Sequence, residues 1–562
     1  MTRRKEFPAL LAVGVAVVMT RPLIVHLGSE TPVGGSGSDP LYLTWQVAWI
    51  GHALLHSPLH LLQSNFYFPV KNNLALTDVL FGYAPAGLLA SSGPHAALIV
   101  HNLLFIFTYA LAFLGAYLLA RELGAGDWGG AAAGAAFAYA PWKLGQNGHL
   151  HVLSSGGIPL ALALLLRGYR RGSARSIVGG WLVAAWQMTL GFNLGLQFAY
   201  LLLALAVVVV VHWLMERMPR PRQAVVGASA TGIAVFVTVT VLAAIPYLQA
   251  RQELPEAKAA AADVAFYSPP LRGFVAAPSF SYVWGDATAG PRATLPGGAA
   301  IEQTLFPGAT VFLLALLGLA SIAYSLRLRL GLMAGTLICF AFSLGLRGAD
   351  HSDRGFMPFR FLYDFAPGWG NVRTPGRINN LTSLGLALLA GAGLALVVRG
   401  IRRRSRREAI AAVVAGALVT AILIEGFGPI PQPRAPAVPA GQLSQPAPQL
   451  NLPTSDFADG EYAYWGIGRF PKMANAASSF DPKVILDIRS AALAFPDARS
   501  VRFLRRIGVR SVVLHRDLAV GSDWQDTAHR SIAGLGITRR EQGDLVIYRL
   551  SSVQTGQKGF SR

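Results

Sequence analysis

The hydrophobic and polar positions divide the chain into long apolar runs separated by short polar connections. A bilayer-crossing helix needs about 17 to 20 predominantly apolar residues. Such runs occur at 8–27, 95–120, 127–142, 152–167, 176–192, 194–214, 224–246, 306–325, 331–347, 378–398 and 409–427. The pattern therefore predicts eleven spanning helices. Arg21 and Pro22 interrupt the first run and no small-residue cleavage site follows, so it reads as a span rather than a signal peptide. Beyond residue 427 the pattern changes. The segment GPIPQPRAPAVPAGQLSQPAPQLNLP, within 428–455, is rich in proline and reads as an extended linker. From 456 to 562, a helical FPDARSVRFLRRIG is followed by the strand-like RSVVLH and DLVIYRL, which predicts a small α/β domain. The expected fold class is an all-α polytopic membrane domain over 1–427 with a small C-terminal α/β domain.

Composition excludes a purely soluble enzyme: the 562 residues are 53% hydrophobic and 14% charged, against about 25% charged in ordinary soluble domains. The net charge of +20 has a topological reading. With Arg3, Arg4 and Lys5 in the cytoplasm, Arg121, the Arg167 to Arg175 group, the Arg217 to Arg222 group, Arg327 with Arg329, and the Arg399 to Arg407 run all fall inside. The connection 28–94 carries Lys71 as its one basic residue, histidines aside. This places the N-terminus inside and the C-terminus outside, with outer loops at 28–94, 247–305 and 348–377. RGIRRRSRR reads as a cytoplasmic stop signal and not as a nucleic-acid site. The abundance of Ala, Gly and Arg points to a bacterial source, hence to the bacterial plasma membrane. Cys339, inside an apolar run, cannot pair within the chain.

Walker A, HExxH and paired CxxC motifs are absent, which removes nucleotide hydrolysis, zinc proteolysis and cysteine-ligated metal. An outward-facing site also lacks nucleotide-sugar, so any transfer there needs a donor carried by the membrane. In the first loop, Asp39 precedes Pro40 and an apolar stretch with Trp45 and Trp49 at helical spacing, which predicts an amphipathic interfacial helix. Asp39 is then either its N-cap or a general base facing an acceptor hydroxyl. Asp78, near the next apolar segment, is a second carboxylate or another cap. His149 and His151 stand two apart beside a span, as phosphate or metal ligands or as a satisfied pair. Tyr267 and Trp284 offer faces to a sugar ring or simply belong to the interfacial belt. Glu302 either binds acceptor or caps a span. Arg373 and Arg377 lie on the outer side against the positive-inside trend, where they either hold a lipid-linked phosphate bidentately or pair with Asp364.

The ordered series Asp39, Trp45, Trp49, then Asn65, Phe66, Tyr67, Pro69, then Leu74, Ala75, Thr77, Asp78, Gly82, followed by GHLHVLSSGGIPLALALL, EQTLFPG and NVRTPGR, resembles the GT-C superfamily of membrane glycosyltransferases, most of all a poorly characterised bacterial branch. The resemblance implies a polyprenyl-phosphate sugar donor, an extracytoplasmic acceptor such as an envelope glycan, lipid or protein, and membrane lipids as surroundings. It implies Asp39 as the acidic catalytic residue, Glu302 as an acceptor-facing glutamate, His149 and His151 as phosphate or metal ligands, and Arg373 with Arg377 at the donor phosphate. Where many members carry adjacent acidic residues in the first loop, Asp39 is followed by Pro40, and a divalent metal stays open as cofactor. The rival expectation is a non-catalytic scaffold or a transporter of lipid-linked sugars.

Overall fold

The computed structural model describes residues 3–33, 38–217, 222–253, 259–296, 300–347, 357–405, 408–477 and 482–550. Parts of the expected loops and basic connections, at 218–221, 254–258, 297–299, 348–356 and 406–407, lie outside the described residues, as does 551–562 of the expected C-terminal domain.

Each of the eleven apolar runs contains a helix, but only seven described helices are long and apolar enough to cross a membrane. These begin at Pro94, Leu150, Phe192, Gln223, Leu326, Pro375 and Glu408. The chain is a multi-pass membrane protein. The helices Gly126–Ala138, Ala174–Met188 and Ala309–Leu319 are shorter, and the first helix ends at Met19. Ala- and Gly-rich faces let 94–123, 126–138, 309–319 and 379–405 pack into a central bundle. By contrast, 192–215 and 223–253 expose rows of Val, Leu and Ile, as expected of surfaces whose solvent is lipid.

The helix Asp39–His56 corrects the interfacial expectation. It is buried without a break from Pro40 to Gly51, so protein and not lipid covers its apolar face. Two of its buried polar side chains bond inside the molecule: Thr44 Oγ1 donates to the Pro40 carbonyl, and Gln46 Nε2 donates to Thr77 Oγ1 and to the Asp78 carbonyl. It packs against the helices 84–90, 94–123 and Asp456–Trp465. The contact with 84–90 is backbone to backbone, because a Cβ on Gly51 would stand 2.0 Å from the Gly87 carbonyl carbon.

The C-terminal unit contains a four-stranded sheet in the order β1 (Gln449–Leu452), β2 (Ser511–His515), β4 (Leu545–Leu550), β3 (Ile537–Gln542). The β1 and β2 strands are parallel and the other pairs antiparallel. Both β1 and β2 are buried along their whole length, the polar Gln449, Asn451, Ser511 and His515 included. The Pro-rich stretch is more than a linker. Its end supplies β1, and its start runs beside 29–33, where the carbonyls of Pro433 and Pro431 accept from the amides of Thr31 and Val33. Proline has no N–H but keeps its acceptor, so a proline-rich strand can receive bonds on this edge. A second contact, Tyr67 N to the Asn475 carbonyl and Met473 N to the Asn65 carbonyl, ties the C-terminal unit to the first loop.

Candidate active site

At the end of the bundle carrying the C-terminal unit lies a cleft of about 260 Å³. Its lining draws together Asp39, Asp78, His151, Tyr267, Arg373 and Arg377 from five separated segments, with Tyr42, Thr77, Asn371 and Ala477 among the others. His149 and Glu302 sit against this group, largely buried. Trp284 is elsewhere, which corrects its expected ligand role: its ring packs edge-on against Phe306 at 5.0 Å, and it does not line the cleft.

Asp39 is the first residue of its helix, where a negative charge suits the exposed N–H groups, but Ser38 precedes it and makes no side-chain cap. This corrects the N-cap expectation. The carboxylate, 52% exposed, instead places Oδ2 3.0 Å from His149 Nε2. Asp78 does cap a helix, though not one near it in sequence: Oδ1 accepts from the backbone N–H of Asn193, in the first turn of Phe192–Met215. Burial pushes its carboxyl above the ordinary range, opposed by Arg377 and by the Asn193 and Phe192 amides.

Glu302 and Arg377 form a buried, two-pronged ion pair. Arg377 Nη2 donates to Oε1 at 2.6 Å, and Nε lies 3.2 and 3.3 Å from the two carboxylate oxygens. Burial would raise the Glu302 carboxyl, but Arg377, His149 and Arg373 together hold it below its ordinary value. Arg377 Nη1 also donates to His151 Nε2 at 3.0 Å and lies 3.9 Å from Asp78 Oδ2. A guanidinium can only donate, so His151 carries its proton on Nδ1, which has no partner among the described residues. The Asp364 alternative for the arginines is overturned for Arg377, and Asp364 is bonded by Arg360 instead. The Arg373 guanidinium lies 4.8 Å from the Tyr267 ring centroid, within cation–π range.

Among the described residues no group of three or more His, Cys, Asp or Glu side chains is placed to hold a metal ion. Asp39 is engaged by His149 and Glu302 by Arg377, so the donor set does not fit a divalent cation. Sequence reasoning missed Tyr42, Asn371 and Gln146, which are ordinary residues by type and acquire a role only through their neighbours.

The structure resembles that of the arabinofuranosyltransferase AftD from Mycobacteria, with a TM-score of 0.59 at 16% identity over 98% of this chain and 42% of that one. ArnT from Cupriavidus metallidurans gives 0.48 at 15% identity over 97% and 98%, and the Archaeoglobus fulgidus oligosaccharyltransferase gives 0.41 at 15% over 97% and 72%. The fold assignment rests on the first of these: the chain has the GT-C fold of membrane glycosyltransferases. It spans about two fifths of the AftD chain. No family model and no curated protein sequence matches it.

Proposed function

We propose that the protein is an integral-membrane glycosyltransferase that moves a sugar from a polyprenyl-phosphate carrier to an extracytoplasmic acceptor. The observation that carries this reading is one cleft holding a half-exposed carboxylate, Asp39, together with the guanidiniums of Arg373 and Arg377. The acceptor O–H gives its proton to Asp39, its oxygen bonds to the anomeric carbon, and the bond from that carbon to the phosphate oxygen breaks. This is a single displacement with inversion. Arg373 faces the charge that grows on the departing phosphate. Arg377 contributes less directly, since most of its donors serve Glu302 and His151. Tyr267, under Arg373, offers an aromatic face to the sugar. The N-terminus inside, and the cleft and C-terminal unit outside, follow from the positive-inside distribution. The arabinofuranosyl transfer named for AftD supports glycosyl transfer as the reaction class; a pentofuranose donor belongs in the test.

The test is release of polyprenyl phosphate from labelled pentose and hexose donors by membranes holding wild type or Asp39→Ala at matched expression. The expected loss is about 10²- to 10⁴-fold with donor binding kept. No turnover with any donor across acceptor extracts would move the reading to a non-catalytic scaffold.

A further inference from the structure

On the Asp39 side of the cleft, a chain of three groups has its protons fixed by chemistry. Tyr42 lines the cleft, and its hydroxyl oxygen lies 3.0 Å from that of Tyr67. Tyr67 is fully buried, and its hydroxyl donates to the carbonyl of Ala477 in the C-terminal unit. The backbone supports the same approach, since Tyr67 N donates to the Asn475 carbonyl. A carbonyl oxygen can only accept, and a phenol has one proton to give. The Tyr67 proton is therefore committed to Ala477. Between the two tyrosines, Tyr42 must then donate and Tyr67 accept. With its one proton spent on Tyr67, Tyr42 meets whatever enters the cleft with lone pairs.

The surroundings keep that oxygen at the cleft wall. The Tyr42 ring packs on Trp45 and Phe66, with centroids 5.2 and 6.5 Å away, while Thr77 and Ala477, near its hydroxyl end, line the cleft with it. Thr77 and Gln46 stand beside the Tyr42 hydroxyl, but their hydrogens are directed elsewhere. Gln46 Oε1 accepts from Leu80 N, which sets the amide, and Nε2 donates to Thr77 Oγ1 and to the Asp78 carbonyl. Thr77 Oγ1 in turn points to that carbonyl at 3.4 Å. Asp39 and Tyr42 are three positions apart on one helix, so they share a face with about 4.5 Å of rise between them. An uncharged oxygen that only accepts turns away phosphate oxygens, which go to Arg373, and takes a neutral O–H. We infer that Tyr42 accepts a hydrogen bond from a sugar hydroxyl in the cleft, and that Tyr67 is a positioning residue that fixes this polarity through the Ala477 carbonyl. The C-terminal unit thereby sets which hydrogen-bonding groups the cleft takes. The inference rests on the reading of the cleft as a glycosyl-transfer site, but it is read by binding and not by turnover.

The experiment measures binding to full-length protein in detergent micelles by tryptophan fluorescence. The probes are polyprenyl-phosphate-linked pentofuranose and hexopyranose and the matching methyl glycosides. In each probe that binds, every sugar hydroxyl is replaced in turn by hydrogen and by fluorine, which cannot donate. At one position both replacements are expected to weaken wild-type binding about tenfold, the worth of one hydrogen bond. In Tyr42→Phe the unmodified probe should weaken by about the same factor, and the replacements at that position should cost nothing further. A loss seen with the lipid-linked probes puts the hydroxyl on the donor sugar; a loss confined to the methyl glycosides puts it on the acceptor. Tyr67→Phe releases the Tyr42 proton, so the preference for hydroxyl over fluorine should shrink at that position alone, whereas a merely structural role would weaken every analogue alike. The wild-type series decides even where a variant fails to fold. Fluorine analogues that bind as well as the hydroxyl at every position overturn the inference, as do replacement costs unchanged in Tyr42→Phe or the binding of no probe at all. Binding without transfer refutes the proposed function and leaves this inference to the analogue series.

Discussion

Breaking the Glu302–Arg377 pair should be among the costliest single changes at the cleft. The two side chains are only 8% and 13% exposed, and the guanidinium meets the carboxylate through two of its nitrogens. Charges about 4 Å apart attract by about 4 kcal/mol at an effective dielectric of about 20. The larger effect of a single substitution is the charge left behind without a partner, and removing one member of a buried pair costs about 3–5 kcal/mol. Arg377→Met strands Glu302 and also withdraws the donor from His151 and the cation from beside Asp78. Glu302→Leu strands Arg377, which still has Asp78 nearby, so its cost should fall toward the lower end. In Glu302→Leu/Arg377→Met neither of the two charges is left behind, and the cost of the double variant should fall short of the summed single costs by about 2 kcal/mol or more. Denaturant unfolding of the purified protein in detergent, followed by tryptophan fluorescence, measures the cycle. Single costs that add to within about 0.5 kcal/mol would refute the pair as the organising contact.

The C-terminal unit should lose stability as pH rises through neutrality. Burial pushes the Asp459 carboxyl up to about 7, against hydrogen bonds from Ala476 N, Asn475 Nδ2 and Thr454 Oγ1. The folded state thus favours the protonated form. Its contribution is present below the ordinary carboxylate range and is lost as pH rises through about 7, at roughly 1.4 kcal/mol per unit; thermal unfolding between pH 5 and 8 should show this slope, and Asp459→Asn should flatten it. Asn65 links Trp45 Nε1, which it accepts at 3.0 Å, to the Pro471 carbonyl, to which it donates at 2.8 Å. Asn65→Ala should cost about 1–3 kcal/mol for the groups left unpaired, and should speed proteolytic cleavage within 466–477 at unchanged helix content by circular dichroism.

What the sequence by itself determined is what each segment does alone. Apolar length located a helix in every one of the eleven runs, and apolar alternation located β2 and β4, because burial of a segment depends mainly on its own composition and period. Asp39, Asp78, His151, Tyr267, Arg373 and Arg377 were legible as chemistry-bearing residues in loops, and the cleft collects them. Their partners were not legible. Asp39 meets His149 across 110 positions, Glu302 meets Arg377 across 75 and His151 meets Arg377 across 226. Asp78 caps a helix 115 positions away. Nothing local specifies such pairs, since they exist only once close backbone approaches such as Gly51 on Gly87 have set where the helices lie. The same cause explains two of the readings that failed. An apolar helix with two tryptophans has one pattern whether lipid or protein covers it, and Trp284 carries the same ring whether it faces a sugar or Phe306. Tertiary packing alone chooses between those environments, because it decides which surface arrives opposite each side chain.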